Sequence, residues 1–283
     1  MVNRFVARSA QRGFTLVELV MVIGLLGVIS GMVMVFMKSP IDAYFASARR
    51  AGVTDVADTA ARRMSRDIRR ALPNSVRSPN SQCLEFIPTK TGGRYRVEAL
   101  IAGDGTNLDF TIADSAFNLL GSNAALPADQ RIGVGDLVVV YNLGVPGADA
   151  YNQDNTSDVI ALGAETSAPV EAPIQFTARK FPLESPARRV HVVPKDEKVV
   201  AYVCSGGNLY RTASTALTTT ANCPISGAKI AANVDCANTN FTLSDSGNAL
   251  NRNALVSMRL TLQDSSATET VTLQHEVHVD NTP

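Results

Sequence analysis

Apolar residues fill the N-terminal part of the chain in one uninterrupted run. The run covers residues 14–37, and Glu18 is its only charged residue. As a helix it would rise about 36 Å, enough to cross the roughly 30 Å hydrocarbon core of a membrane with some tilt. The pattern therefore predicts a transmembrane helix over residues 14–37.

Beyond this run the apolar positions become periodic. They recur mostly at three- or four-residue steps, at Ile41, Phe45, Ala48, Val56, Ala60, Met64, Ile68 and Leu72. Such spacing places apolar side chains along one face of a helix. We therefore predict an amphipathic helical stem over residues 38–73, so that one helix runs from Phe14 to about Leu72. Pro40 is expected to kink this helix, and Pro73-Asn74-Ser75 supplies its stop.

The pattern changes to short alternating segments from about residue 82. Strands are predicted at residues 84–88, 137–142, 199–204, 256–263 and 270–279. The last two should form a hairpin, because their apolar residues alternate with polar neighbours on both sides of a polar turn. Residues 144–173 lack periodicity and are rich in turn residues, so we expect an exposed loop there. Residues 74–283 are thus predicted to be a β-rich domain of mainly antiparallel sheet, which with the helix gives an α+β fold.

The charges of the chain balance, with 26 Lys and Arg against 26 Asp and Glu. This balance argues against a nucleic acid as the main partner. Seven arginines nevertheless mark the stem: Arg49, Arg50, Arg62, Arg63, Arg66, Arg69 and Arg70. Asp58–Arg62 and Arg63–Asp67 have the spacing of helical ion pairs, which indicates a solvated face. Contact with acidic neighbours and contact with DNA stay open, although no aromatic residues are interleaved to favour DNA.

The residues before the apolar run indicate the orientation in the membrane. Arg4, Arg8 and Arg12 lie among residues 1–13, which contain no acid. Basic residues before an apolar helix keep the N-terminus in the cytoplasm. The run is too long for an ordinary secretory signal, and no Ala-x-Ala site ends it. We expect a single-pass protein whose residues 74–283 lie outside the cytoplasm.

Four cysteines lie beyond the membrane segment, which favours disulfides in an oxidising compartment. Three pairings are possible. We favour Cys204–Cys223, because small polar residues fill the interval between them, and this leaves Cys83 with Cys236. Zinc is the competing interpretation, but it lacks a Cys-x-x-Cys pair.

Other candidate chemistry in the chain is weak. Asp149, Asp154 and Asp158 offer oxygen ligands for calcium, but the spacing lacks the EF-hand glycine and terminal glutamate. His275 and His278 should face opposite sides of a strand, which argues against a metal site there. No catalytic constellation has the required order, so we expect neither an enzyme nor a resident cofactor.

One segment resembles a known family. Residues 12–19, Arg-Gly-Phe-Thr-Leu-Val-Glu-Leu, are similar to the cleavage and methylation motif of type IV prepilins and type II secretion pseudopilins. The resemblance implies that prepilin peptidase cuts between Gly13 and Phe14, removes the leader 1–13, and leaves a Phe14 amine that becomes methylated. It also implies that Glu18, costly inside a bilayer by about 2.5–3.5 kcal/mol, pairs with that amine in its own chain or in a neighbouring subunit.

Two further segments narrow the resemblance. Residues 63–75 look like the larger minor pilin subunits, and the ending 277–281 resembles the MshO-type minor pilin of mannose-sensitive haemagglutinin (MSHA) pilus biogenesis. Pseudopilin J of type II secretion is the alternative, being similar in size, leader and stem. The resemblance implies a non-catalytic subunit of the inner membrane and then of a pilus or pseudopilus. Its partners would be prepilin peptidase, the inner-membrane assembly platform, other major and minor pilins or pseudopilins, and, before assembly, the lipid bilayer.

A second class of function is a membrane-tethered periplasmic enzyme or binding protein. Such a protein needs only an anchor. Gly13-Phe14, Glu18 and a long amphipathic stem are instead the parts that a helical filament requires, so the assembly subunit is the favoured interpretation.

Overall fold

The computed structural model describes residues 13–99, 101, 105–244 and 253–282 of the chain. Helix α1 covers Leu16–Ile68 and passes through Pro40 without interruption. The chain divides into two compact units, the first ending at Ala51 and the second beginning at Gly52. The prediction of one continuous helix across the apolar run and the stem is confirmed, although the helix ends at Ile68 rather than near Leu72.

The first unit contains the apolar part of α1. Among the described residues, α1 is the one helix long and apolar enough to cross a membrane, and none of its most apolar window is buried. Exposure continues around the helix, with Leu16 at 78% and Phe36 at 79%. A helix that is apolar on all sides is stable in lipid or within a protein bundle. This segment is therefore suited to a non-aqueous environment that the described residues do not supply.

The second unit is built from strands. The described residues contain fourteen: β1 (Arg77–Asn80), β2 (Cys83–Phe86), β3 (Thr91–Arg94), β4 (Asp114–Leu120), β5 (Leu137–Val140), β6 (Thr156–Leu162), β7 (Glu171–Arg179), β8 (Arg189–Val193), β9 (Val199–Ser205), β10 (Asn208–Ser214), β11 (Ala228–Ala232), β12 (Asn240–Ser244), β13 (Asn253–Gln263) and β14 (Thr270–Asp280). A short 3-10 helix covers Ala150–Asn152. The predicted α+β class is confirmed.

The strands form three sheets within the described ranges, and every pairing is antiparallel. Their orders are β1-β2-β9-β10-β11, β3-β8-β5-β6-β7-β4 and β12-β13-β14. The predicted hairpin is confirmed, because β13 pairs with β14 over their whole length, from Asn253 opposite Asp280 to Gln263 opposite Thr270.

The six-stranded sheet curls back on itself. An isolated bridge joins Tyr95, just after β3, to Leu119 on β4. The backbone N of Arg96 also donates to the carbonyl O of Asn118 at 3.0 Å. The enclosed side holds a cluster of aromatic rings, whose members are Tyr95, Phe110, Phe117, Phe176 and Phe181. The two end strands thus meet around a core of their own.

The C-terminal part of α1 packs on the other two sheets. Ala57, Ala60 and Ala61 are buried against them, and such small side chains allow the helix backbone to approach a sheet closely. Met64 and Ile68 fill the same core with no exposed surface. The apolar face predicted for the stem is therefore confirmed at Ala60, Met64 and Ile68, whereas Val56, which was predicted to share it, is 42% exposed.

Three asparagines join the end of α1 to distant parts of the second unit. The backbone N of Asn74 donates to Asn281 Oδ1 at 3.0 Å, and its Nδ2 donates to the carbonyl O of Asn142 at 2.9 Å. Asn142 Nδ2 in turn donates to the carbonyl O of Pro73 at 2.7 Å. Asn74 has a φ of 60°, a left-handed conformation that asparagine adopts more readily than most residues. The segment predicted to end the stem therefore also forms hydrogen bonds with Asn281, just after β14.

The loop expected over residues 144–173 is wrong in part. The segment contains the 3-10 helix, the whole of β6 and the start of β7. Tyr151 is buried there, and its hydroxyl donates to the carbonyl O of Ser75 at 2.9 Å. Backbone pairing of β6 with β5 and β7 orders this stretch, in which the apolar residues 159–162 are consecutive and so do not alternate with polar ones.

Candidate processing and assembly site

The start of α1 places the candidate processing residues in a fixed local arrangement. Thr15 precedes the helix, and its Oγ1 accepts a hydrogen bond from the backbone N of Glu18 at 3.3 Å. Its carbonyl O accepts from the backbone N of Leu19 at 3.2 Å. A threonine here satisfies one of the free N–H groups at a helix N-terminus, and the helix dipole favours the negative charge of Glu18 in the first turn. The Thr-x-x-Glu spacing over residues 15–18 is the capping-box signal that would have identified Thr15 from sequence.

The fold itself gives no reason for a glycine at position 13. A Cβ added to Gly13 would have no atom within 4 Å, and its backbone is not left-handed. Any small side chain would therefore fit in the folded chain. The described residues therefore place no steric requirement for glycine at this position.

The glycines of the apolar span have the same property. An added Cβ at Gly24, Gly27 or Gly31 would also meet nothing within 4 Å. In a membrane such positions let another helix backbone approach closely. The open space around these glycines is what a helix that packs against neighbouring subunits would offer.

Glu18 has no partner in the described part of the chain. Its carboxylate takes part in no hydrogen bond or ion pair with a described side chain. Phe14, one helical turn earlier, is 83% exposed. The leader residues Arg4, Arg8 and Arg12 lie outside the described residues. A carboxylate at the head of an exposed apolar helix is thus available to a partner from elsewhere.

Comparison with known families decides what this segment is. The model of the family described as the prokaryotic N-terminal methylation motif matches residues 8–34. The chain carries this methylation motif. The match includes Gly13, Phe14, Glu18 and the three glycines of the span, and it supports a type IV pilin or pseudopilin anchored in a membrane by its N-terminus. No curated protein and no solved structure matches the chain.

The cysteines are all bonded, but not as predicted from the sequence. The structure joins Cys83 to Cys223, with a Cα–Cα separation of 6.1 Å, and Cys204 to Cys236, with 5.5 Å. The predicted pairs Cys204–Cys223 and Cys83–Cys236 are therefore wrong. Disulfide formation itself is confirmed.

Strand register explains the correct pairing. Cys83 on β2 stands opposite Val203 on β9, so their side chains share one face of the sheet, where Cys223 also packs. Cys204 is the next residue along β9 and points to the opposite face, into the core under α1, where Cys236 packs. A Cys204–Cys223 bond would have to pass through the sheet. The prediction rested on the composition of the segment between Cys204 and Cys223. That composition does not indicate to which face of the sheet each cysteine side chain points.

Two of the candidate calcium ligands are neighbours, because the backbone N of Asp149 donates to Asp154 Oδ2 at 3.4 Å, whereas Asp158 pairs elsewhere. Asp149 Oδ1 accepts from the backbone N of Tyr151 at 3.0 Å, and burial raises the pKa of Asp149. Asp154 Oδ2 accepts from the backbone N of Gly147 at 2.9 Å, and Asp158 Oδ1 accepts from Lys198 Nζ at 3.0 Å. Among the residues described, no group of three His, Cys, Asp or Glu is placed to hold a metal ion. The three carboxylates are used in capping and pairing, and the structure does not bring them to one point.

One of the two ion pairs predicted for the stem arginines forms in the structure. Asp58 Oδ2 accepts from Arg62 Nε at 2.7 Å, which confirms the first predicted helical pair. The second predicted pair is wrong, because Asp67 Oδ2 instead accepts from Arg211 Nε on β10 at 2.7 Å and from the Tyr202 hydroxyl at 2.8 Å. Asp67 lies at the edge of the buried face, where partners from the sheet are nearer than Arg63. Sequence spacing alone could not reveal those partners.

Proposed function

We propose that this chain is a non-catalytic minor pilin or pseudopilin. Prepilin peptidase cuts it between Gly13 and Phe14, the new Phe14 amine is methylated, and the subunit then assembles into, or primes, a type IV pilus of the MSHA type. The observation that carries the proposal is the methylation motif at the head of an apolar helix that is exposed on all sides. Major and minor pilins, prepilin peptidase and the assembly platform are its proposed partners.

The geometry of Gly13 and Glu18 gives each a role in this scheme. Because nothing in the fold requires Gly13, its small size serves the peptidase that must bind the chain around the cleaved bond. Cleavage turns the Phe14 nitrogen into a charged amine one helical turn from Glu18. An unpaired carboxylate is unfavourable where the helix enters the bilayer, so Glu18 favours the arrival of a subunit whose amine can pair with it.

We infer the cellular compartment of each part of the chain from the two ends of the membrane span. The basic residues before Phe14 favour a cytoplasmic N-terminus in the inner membrane, which leaves residues 74–283 in the periplasm. The two disulfides suit this assignment, because disulfides persist in the oxidising bacterial periplasm.

Two other functions are weighed against this one. Pseudopilin J of type II secretion requires the same leader, helix and cleavage, and the subunits that co-purify with the chain distinguish it from an MSHA-type minor pilin. A membrane-tethered enzyme or binding protein needs no Glu18, so the behaviour of Glu18 variants separates it from both assembly subunits.

The experiment compares Glu18→Ala with Asp42→Ala in cells that make the filament. Asp42 is a second exposed acid on α1, but it lies beyond the apolar span. We expect both variants to be cut at Phe14, and only Glu18→Ala to be depleted from sheared filaments, by about ten-fold or more if the lost pairing is worth about 1.4 kcal/mol or more. Normal incorporation of Glu18→Ala would contradict the assembly role.

A further inference from the structure

Three apolar side chains of the first unit are exposed beyond the predicted membrane span. Ile41, Tyr44 and Phe45 are 44%, 70% and 54% exposed. The rings of Tyr44 and Phe45 touch edge to face, with centroids 5.7 Å apart. We call these three residues the outer apolar patch. Large aromatic side chains exposed together on a helix mark a surface that something else covers.

The outer apolar patch continues the membrane span along one side of α1. Ile41 follows Met37 by four residues, and Phe45 follows Ile41 by four. Met37, Ile41 and Phe45 therefore lie one above another on the same side of the helix. The thirty residue-to-residue steps from Phe14 to Tyr44 rise about 45 Å as a helix. A bilayer with its headgroup layers is about 40–45 Å thick. When Phe14 lies at one membrane surface, Tyr44 therefore lies at the other.

The chemistry around the patch fits the headgroup layer. Tyrosine combines an apolar ring with a polar hydroxyl and is enriched where hydrocarbon meets water. Lys38, Arg49 and Arg50 flank the patch, against one acid, Asp42. Basic side chains attract the phosphates of anionic lipids. A neighbouring protein helix would explain the apolar exposure, but not this spacing from Phe14.

We infer that the outer apolar patch binds the phospholipid headgroup layer on the membrane face opposite Phe14, and that it sets the depth of the unassembled subunit. The inference rests on the proposed membrane-anchored subunit. The patch keeps the helix at one depth in the membrane until a partner for Glu18 arrives. During assembly it must leave the lipid, so it also contributes to the cost of extracting a subunit.

The sequence contains no tryptophan, which makes single-tryptophan reporters possible without background. Full-length Tyr44→Trp is reconstituted at one protomer per phospholipid nanodisc, with nitroxide-labelled lipids as quenchers, either at the headgroup or deep in the acyl chain. Val28→Trp, in the middle of the span, reports on the anchor itself. Ile225→Trp, on an exposed residue of the second unit, gives the signal of a tryptophan in water.

We expect the headgroup label to quench Tyr44→Trp about two-fold or more above Ile225→Trp, and the deep label to quench Val28→Trp most strongly. If Val28→Trp is quenched while Tyr44→Trp behaves like Ile225→Trp, the patch does not lie in the headgroup layer. That result would overturn this inference and leave the proposed membrane anchor standing. Blue-shifted emission from Tyr44→Trp without quenching would place it against protein and also overturn the inference. If Val28→Trp is unquenched as well, the membrane anchor proposed for the subunit fails with it.

Discussion

Arg211 Nε donates to Asp67 Oδ2 at 2.7 Å and joins two residues that are 144 positions apart in the chain. The other side of the same guanidinium donates to both carboxylate oxygens of Glu197, at 2.8 and 2.9 Å. Hydrogen bonding from Arg211 lowers the pKa of Glu197. The Tyr202 hydroxyl completes the network by donating to Asp67. This network attaches the last turn of α1 to β9 and β10, so the structure has a polar lock beside its apolar core.

Replacing Arg211 with methionine should weaken that lock. The change keeps a long apolar stem but leaves Asp67 and Glu197 without their shared cation. The side chain of Arg211 is 16% exposed, so we expect unfolding free energy to fall by about 2 kcal/mol. Urea unfolding of the full chain in detergent micelles, followed by circular dichroism of the sheets, measures the change.

Arg62→Met is the matched control for this experiment. Arg62 pairs with Asp58 on the same helix, but the two side chains are 72% and 43% exposed. An exposed pair contributes little, so the loss should stay within about 0.5 kcal/mol. Equal effects of the two substitutions would show that Arg211 does not lock the helix.

The two disulfides should be found as Cys83–Cys223 and Cys204–Cys236 by mass spectrometry of non-reduced peptides. Removing either pair with serines should destabilise the domain. The Cys83–Cys223 bond closes 140 residues and the Cys204–Cys236 bond closes 32, so loss of the first should cost about 1 kcal/mol more. A peptide linking Cys204 to Cys223 would contradict the assignment of the two cysteines to opposite sheet faces.

His191 should make stability depend on pH. Burial lowers its pKa from 6.5 to about 4, with the Arg189 charge adding to the effect and the Asp280 charge opposing it. Between pH 4 and 6.5 the unfolded chain therefore binds more protons than the folded chain does. The stability that neutral His191 contributes is fully present above pH 6.5 and is lost as the pH falls toward 4. The full effect is about 3 kcal/mol at most.

His191→Leu isolates this contribution from that of the carboxylates. The variant places an apolar side chain in the same partly buried position but has no titrating ring. Unfolding measured at several pH values should show a smaller loss of stability between pH 6.5 and 4 for the variant than for the unchanged chain. Identical pH profiles would mean that His191 is not held neutral by burial.

The sequence predicted the elements that depend on local periodicity. The helix over the apolar run and stem needed only the recurrence of apolar residues such as Met64 and Ile68. The five predicted strands all exist, because each has enough Val, Leu or Ile to stand out from the turn residues around it. The methylation motif was readable for the same reason, since Gly13, Phe14 and Glu18 lie close together in the chain.

Features that depend on distant pairing were not readable. The partner of Cys204 is decided by the register of β2 against β9, and the partner of Asp67 by where β10 lies. Strand β6 was missed because backbone pairing, rather than apolar alternation, orders it. In each case the deciding contact joins residues that are far apart in the chain, and no local sequence pattern indicates that they are close in the fold.

Gly13→Ala should block processing without disturbing the fold. Because the folded chain has room for the methyl group, any effect must arise at the peptidase. Gly52→Ala, at another helix-surface glycine with open space, is the control that should be cut normally. Immunoblots of cells that contain prepilin peptidase should show only the longer precursor for Gly13→Ala. Efficient cleavage of Gly13→Ala would contradict the assigned site.

The central claim is that the chain is a processed subunit that enters a filament. N-terminal mass spectrometry of the protein from membranes and from sheared filaments tests it most directly. The account predicts a methylated Phe14 terminus in both fractions. An intact Met1 terminus found only in membranes would contradict it and favour a tethered enzyme or binding protein.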